Sequence, residues 1–108
     1  MTVQPRIKVP ERARAGERIT IRTLVSHPME SGLRADQSGG RIARRILNRF
    51  VCSFEGEVVL SCELEPAMAA NPYFEFTVTV TRSGSFRFEW HEDGGAVIEA
   101  EAHIEVDD

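Results

Sequence analysis

Residues 73–81 read Tyr73-Phe74-Glu75-Phe76-Thr77-Val78-Thr79-Val80-Thr81. Phe74, Phe76, Val78 and Val80 alternate with Glu75, Thr77, Thr79 and Thr81. Side chains change faces at every residue only in extended chain, so this period of two predicts a strand with one buried and one wet face. Arg82-Ser83-Gly84 then turns the chain. The next segment repeats the pattern, with Phe86, Phe88 and Trp90 expected inside against Arg87, Glu89 and His91. Beyond Glu92-Asp93-Gly94-Gly95 it recurs, with Ile98, Ala100, Ala102, Ile104 and Val106 inside and Glu99, Glu101, His103 and Glu105 outside. Burial on one face only marks antiparallel strands rather than a parallel sheet covered by helices.

Working back towards the N-terminus gives four more segments. Arg6-Ile7-Lys8-Val9 alternates and meets Pro10, which predicts a short edge strand. Ala13-Arg14-Ala15-Gly16-Glu17 reads as a turn into a second strand running from Arg18 to Ser26, with Ile19, Ile21, Thr23 and Val25 opposed to Thr20, Arg22 and Leu24. A third strand is expected from Ile46 to Phe54. Glu55-Gly56-Glu57 then makes a hairpin connection. The fourth strand, Val58 to Leu64, places Val58, Leu60, Cys62 and Leu64 on one face. Ala67-Met68-Ala69-Ala70 fits one helical turn before Asn71-Pro72 breaks it. No segment supports a helix of three turns. The chain is therefore expected to be all-β, an immunoglobulin-like β-sandwich of about seven antiparallel strands, with an eight-stranded barrel as the alternative. Neither repeats nor a low-complexity linker interrupt it, so residues 1–108 read as a single domain.

Composition excludes several classes. With 42% hydrophobic and 28% charged residues, 108 residues suffice for a core of their own. No run of 18 apolar residues is present, so no membrane span is expected. The first eight residues lack the apolar stretch of a secretory signal. The net charge of −4 conceals an asymmetry: residues 1–50 hold 11 basic and 4 acidic side chains, and residues 51–108 hold 2 and 13. Arg41, Arg44, Arg45 and Arg49 form a basic cluster, but no aromatic residues are interleaved to stack on bases. Nucleic-acid binding is not expected; these arginines are expected to pair with acidic strands.

The chemistry-bearing residues gather at one place. Leu24-Val25-Ser26-His27-Pro28-Met29-Glu30-Ser31-Gly32 ends a strand and opens a long polar loop. Loops of that length in small domains are usually functional or disordered. Pro28 stiffens its start. His27, Met29 and Glu30 combine a titratable ring, a soft thioether and an acid, a mixture with no obvious use in a core. His27 and Met29 could serve a soft metal such as copper, yet no ligand pair has the spacing of a known site. His91 and His103 fall on different outward positions, with His91 near residues 98–99, so a three-histidine site would need the loop to fold back. Ser26 and His27 are adjacent and point to opposite faces, which excludes a dyad. Glu99, Glu101 and Glu105 read as a solvated or partner-facing stripe.

Cys52 and Cys62 fall on opposite arms of the 46–64 hairpin. A three-residue connection pairs Phe54 with Val58, Cys52 with Leu60 and Cys62 with Phe50. The cysteines are then diagonal neighbours, roughly 7–8 Å apart, too far for a disulfide. Two buried thiols are the favoured reading. A register shift by two would put them opposite each other and permit a disulfide. A reactive thiol fits least, because apolar surroundings raise a thiol pKa. No nucleophile elbow, phosphate loop or dinucleotide fingerprint is present.

Several strings together resemble a known family. Pro5-Arg6-Ile7-Lys8-Val9-Pro10 and Thr23-Leu24-Val25-Ser26-His27-Pro28-Met29-Glu30-Ser31-Gly32 are similar to SoxZ proteins. So are Ile46-Leu47-Asn48-Arg49-Phe50, Ala70-Asn71-Pro72-Tyr73-Phe74 and Ser83-Gly84-Ser85-Phe86-Arg87-Phe88-Glu89-Trp90. The likeness runs from Pro5 to Val106. These are the Z subunits of the SoxYZ sulfur-carrier complexes of sulfur-oxidising bacteria. The resemblance implies a non-catalytic β-sandwich subunit with no cofactor, forming a heterodimer with a SoxY-type subunit. That partner carries sulfur intermediates of thiosulfate oxidation on a cysteine in its C-terminal arm and presents them to other Sox enzymes, which touch the complex transiently. It further implies export to the periplasm together with the Y subunit. The carrier cysteine is not expected here, because Ala102-His103-Ile104-Glu105-Val106-Asp107-Asp108 contains no Gly-Cys-Gly arm. His27, Pro28, Met29, Glu30, Ser31, Gly32, Asn71, Pro72 and Tyr73 are the candidate partner-binding or arm-facing residues. A stand-alone metal-binding sandwich and a generic interaction module are the alternatives.

Overall fold

The computed structural model describes residues 5–26, 38–40, 44, 46–64 and 73–107. Eight strands follow in order: β1 (Arg6–Lys8), β2 (Arg12–Arg14), β3 (Glu17–Leu24), β4 (Leu47–Phe54), β5 (Glu57–Glu63), β6 (Tyr73–Val80), β7 (Gly84–Glu92) and β8 (Val97–Asp107). They form two sheets, one of three strands in the order β1-β3-β6 and one of five in the order β2-β8-β7-β4-β5. The described residues include no helix, and so none long and apolar enough to cross a membrane. The sandwich is the expected architecture, and the barrel alternative falls because the described strands form two separate sheets, each with two edge strands among the described residues.

The alternation sorts the faces as expected. Ile19, Ile21, Thr23 and Val25 are buried on β3 and just beyond it, while Arg18, Thr20 and Arg22 are exposed. Phe86, Phe88 and Trp90 of β7 are fully buried. An aromatic ladder joins the sheets: the Phe50 ring stacks on Phe74 at 4.7 Å and lies 5.2 Å from Trp90 and 6.4 Å from Phe88. Offset rings at such separations add about 0.5–1.5 kcal/mol per pair to the burial of their surface.

Three expectations need correction. Among the described residues the strands number eight, against about seven expected, because Arg12–Arg14 is a strand and not part of a turn. It pairs in parallel with β8, Ala13 opposite Val106, so the five-stranded sheet is mixed. Three residues are too few for alternation to register, and only Ala13 turns inward. The β4–β5 connection is also tighter than expected. Glu55 and Gly56 both have positive φ, 48° and 85°, the signature of a two-residue turn that matches strand twist. Phe54 therefore faces Glu57, not Val58. A bulge then skips Val59, so that Ser53 pairs with Val58 but Cys52 with Leu60, as expected. A one-residue slip reverses faces, and Val58 is turned outward with 64% of its surface exposed. Finally, His91 pairs with Val97, short of residues 98–99.

Candidate functional site

The registers bring separate stretches of specific sequence to one end of the sandwich. Leu24 at the end of β3 pairs with Tyr73 at the start of β6, and on its other side with Arg6 of β1. The chain thus leaves β3 towards residue 27 beside the point where it returns from residue 72. β4 begins at this end, β5 finishes there, and the turn between β7 and β8 lies there too. Of the candidate residues, Tyr73 is described: it is 54% exposed at the rim of the three-stranded sheet. His27, Pro28, Met29, Glu30, Ser31, Gly32, Asn71 and Pro72 lie outside the described residues, as does the helical turn expected at Ala67–Ala70.

Beside Tyr73 is a shallow concavity of about 160 Å³, lined by Arg6, Ile7, Lys8, Arg22, Thr23, Leu24 and Tyr73. Arg22 Nε donates to Glu75 Oε1 at 2.7 Å, which neutralises one of its three cations. Two buried polar atoms in the core, Thr23 Oγ1 and Trp90 Nε1, have no hydrogen-bond partner among the described residues. Thr23 is the register partner of Phe74. Phe74 and Trp90 flank Phe50, so both atoms belong to the layer of core nearest the loop end.

Asp93 anchors that end, a role beyond the turn that Glu92-Asp93-Gly94-Gly95 spells. Its carboxylate accepts from Arg44 Nε at 2.8 Å, Arg44 Nη2 at 3.0 Å, Asn48 Nδ2 at 3.0 Å and the Ile46 amide at 3.2 Å. In return the Asp93 amide donates to the Ile46 carbonyl at 2.9 Å. These bonds, the Arg44 hydrogen bond first and that of Asn48 next, hold its carboxyl down to about 2. The clamp ties Arg44, Ile46 and Asn48, at the start of β4, to the β7–β8 turn. The sequence signal was available: an Asp before Gly94-Gly95, and Asn48 on the same face as Ile46, Phe50, Cys52 and Phe54 in otherwise apolar strand text.

No catalytic constellation emerges among the described residues. They contain no group of three His, Cys, Asp or Glu side chains placed to hold a metal ion. His91 faces Val97 and His103 faces Ser85, six residue pairs apart on the β7–β8 ladder. The acidic stripe on β8 is partly neutralised within the sheet, where Arg87 meets Glu99 at 2.6 Å and Glu101 at 3.8 Å, and Glu105 is hydrogen-bonded to His103 at 2.8 Å. Cys52 and Cys62 are free thiols, the first buried and the second half-buried. Burial pushes the Cys52 thiol up to about 12, which removes the thiolate needed for nucleophilic chemistry at neutral pH.

Comparison with known proteins complements this geometry. The family described as "Sulphur oxidation protein SoxZ" matches residues 7–103, nearly the whole chain. The chain belongs to the SoxZ family. Membership places it among the proteins of sulfur oxidation. No curated protein matches it in sequence. Solved structures resemble it in fold. The sulfur carrier protein SoxY from Chlorobium limicola f thiosulfatophilum aligns with 96% of this chain and 79% of its own, at 16% identity and a TM-score of 0.69. The superoxide reductase (neelaredoxin) from Ignicoccus hospitalis aligns with 95% of this chain and 80% of its own, at 21% identity and a TM-score of 0.71. A putative superoxide reductase from Thermotoga maritima covers 96% and 86% at 18% identity, with a TM-score of 0.74. At these identities the likeness is one of fold, an immunoglobulin-like sandwich that serves more than one chemistry.

Proposed function

We propose that this SoxZ-family chain is the non-catalytic subunit of a sulfur-carrier complex, paired with a SoxY-type subunit whose arm cysteine bears the sulfur intermediates of thiosulfate oxidation. The family match over residues 7–103 carries the reading. The thiols support it. A carrier sulfur has to be a thiolate that reaches solvent, whereas Cys52 is buried and protonated and Cys62 is half-buried on the inward face of β5. The covalent chemistry therefore falls to the partner. The role left to this chain is to present a docking surface, with His27–Gly32 and Asn71–Tyr73 proposed as the residues that meet the partner's arm. The complex works in the periplasm, where this chain arrives with its partner, and it meets other Sox enzymes transiently.

The experiment is affinity purification of the tagged chain from a sulfur-oxidising host grown on thiosulfate, followed by intact-mass analysis. A co-purifying subunit with sulfur adducts on a C-terminal cysteine, and an unmodified mass for this chain, is the expected result. Adducts on Cys52 or Cys62 overturn the assignment. Metal analysis of the same sample separates this reading from a metal-binding sandwich.

A further inference from the structure

The four sheet edges differ in how they resist pairing with another chain. An edge strand offers unpaired N–H and C=O groups, and proteins usually blunt it by shortness, charge, proline or a bulge. β1 is three residues long, carries Arg6 and Lys8, and runs into Pro10. β2 is three residues long and carries Arg12 and Arg14. β5 has the bulge at Val59, with Glu57 and Glu63 at its ends. β6 is the least guarded: it is neither short nor bulged, proline occurs only at Pro72 before its first residue, and its one charge is Glu75. Its eight residues pair with β3 in unbroken register from Tyr73–Leu24 to Val80–Glu17, and no strand lies on its other side among the described residues.

Its side chains agree with an unfinished edge. Phe74, Phe76 and Val78 point into the sandwich but remain half-buried, whereas Phe86, Phe88 and Trp90 on the central β7 are fully covered. On the outer face the only charge is Glu75, already held by Arg22 at 2.7 Å. Thr77 and Thr79 are β-branched and suited to cross-strand pairs. Adding a strand here would bury apolar surface and strand no unpaired charge.

We infer that β6 accepts an edge strand of the SoxY-type partner, main chain to main chain, extending the β1-β3-β6 sheet across the subunit interface. This rests on the carrier-complex reading above. The occupant follows from the shared fold: the Chlorobium SoxY aligns with 96% of this chain, so a partner of that fold brings sheet edges of its own. Main-chain bonds then supply affinity, and the half-covered Phe74, Phe76 and Val78 supply selectivity. The same strand begins at Tyr73, so the junction is continuous with the surface proposed to face the partner's arm.

Hydrogen exchange tests this on the whole chain, alone and in the complex purified after co-expression with the partner. The alternate amides of residues 74–80 that point away from β3 should slow by at least about tenfold in the complex, while those of β1 and β5 stay unchanged. A second measurement uses Val78→Lys, an inward charge of the kind that guards natural edges, and Thr77→Lys combined with Thr79→Lys, which keeps the core intact. Either set should weaken association at least about tenfold with the circular dichroism of the free chain unchanged. A stable complex in which β6 exchanges as in the free chain overturns the inference and leaves the carrier-complex reading standing. Failure to form any complex overturns both. Protection of β6 by self-association of the chain alone overturns the assigned occupant.

Discussion

Arg44 and Asp93 meet fork to fork, two parallel bonds of 2.8 and 3.0 Å across 49 residues of chain. Paired donors of this kind are the strong end of the hydrogen-bond range. Here they tie the far end of the long connection after β3 to the turn between β7 and β8. Only 18% of the Asp93 side chain is exposed, although Arg44 is half in solvent. The carboxyl titrates at about 2 instead of the ordinary 3.8. A depressed carboxyl pKa contributes stability that is fully present above about pH 4. That contribution is lost as the pH falls from there towards 2. Asp93→Asn should therefore cost about 1–2 kcal/mol at pH 7, after allowing for the solvent around Arg44. Urea titrations at a series of pH values would measure it. The variant's stability should fall less steeply than wild type between pH 4 and 2, and an unchanged acid limb would remove Asp93 from the account.

Gly84 opens β7 where the backbone passes close to the β4–β5 turn. A Cβ at that position would stand 2.6 Å from Glu55 Oε1 and 2.7 Å from both Glu55 Cγ and Phe54 Cζ. The Glu55 carboxylate is committed, since it accepts the Ser85 amide at 2.6 Å. Phe54 is fixed by Phe86, 4.6 Å between ring centroids. Gly84→Ala should therefore destabilise by about 1–3 kcal/mol, the usual cost of overpacking. The thermal midpoint would report it. A midpoint within one degree of wild type would mean that Glu55 moves freely.

Much of this fold was legible because seven of its strands carry their burial in their spelling. Phe86-Arg87-Phe88-Glu89-Trp90 has one reading in extended chain. The misses share a cause: each depended on backbone geometry rather than on side-chain period. Arg12–Arg14 is too short to show a period, and its partner in β8 lies more than ninety residues away. The slip at Val59 follows from Glu55 adopting positive φ, for which a glutamate gives little warning. The site is less legible for a related reason. Leu24 opposite Tyr73 is a long-range register, and only the fold shows that β3 ends beside the start of β6.

The cysteines give a prediction with a clear order of events. Cys52 pairs with Leu60 and Cys62 with Phe50, so the two remain diagonal, as two free thiols require. Cys52 stays protonated up to about pH 12 because burial disfavours the thiolate. Its raised pKa contributes stability that is present below about pH 9 and lost as the pH climbs towards 12. Under native conditions at pH 8, iodoacetamide should modify Cys62 slowly and Cys52 not at all; in denaturant both should react. Peptide mapping would read this, and native labelling of Cys52 ahead of Cys62 would contradict the burial argument.

The strongest demand falls on the loop that begins at His27. Its two ends are held in ways the structure shows: Leu24 is locked between Arg6 and Tyr73, and Arg44, Ile46 and Asn48 are gripped by Asp93. Ordering costs about 1–2 kcal/mol per fixed residue, so anchoring both ends lowers what a partner must supply to shape the stretch between them. His27, Met29 and Glu30 are then proposed to meet the partner's arm, with Asn71-Pro72-Tyr73 alongside. The discriminating set is His27→Ala, Met29→Ala and Glu30→Ala, each first shown to keep the wild-type thermal midpoint. At least one should weaken heterodimer affinity or slow sulfur loading of the arm by about tenfold, the scale of a single contact worth 1.4 kcal/mol. Asp93→Asn should shift the same two readings in the same direction while leaving these side chains in place, because it loosens the anchor rather than the contact. If all three alanine variants load and bind as wild type, the loop only caps the sandwich, and the functional surface must be sought along β6.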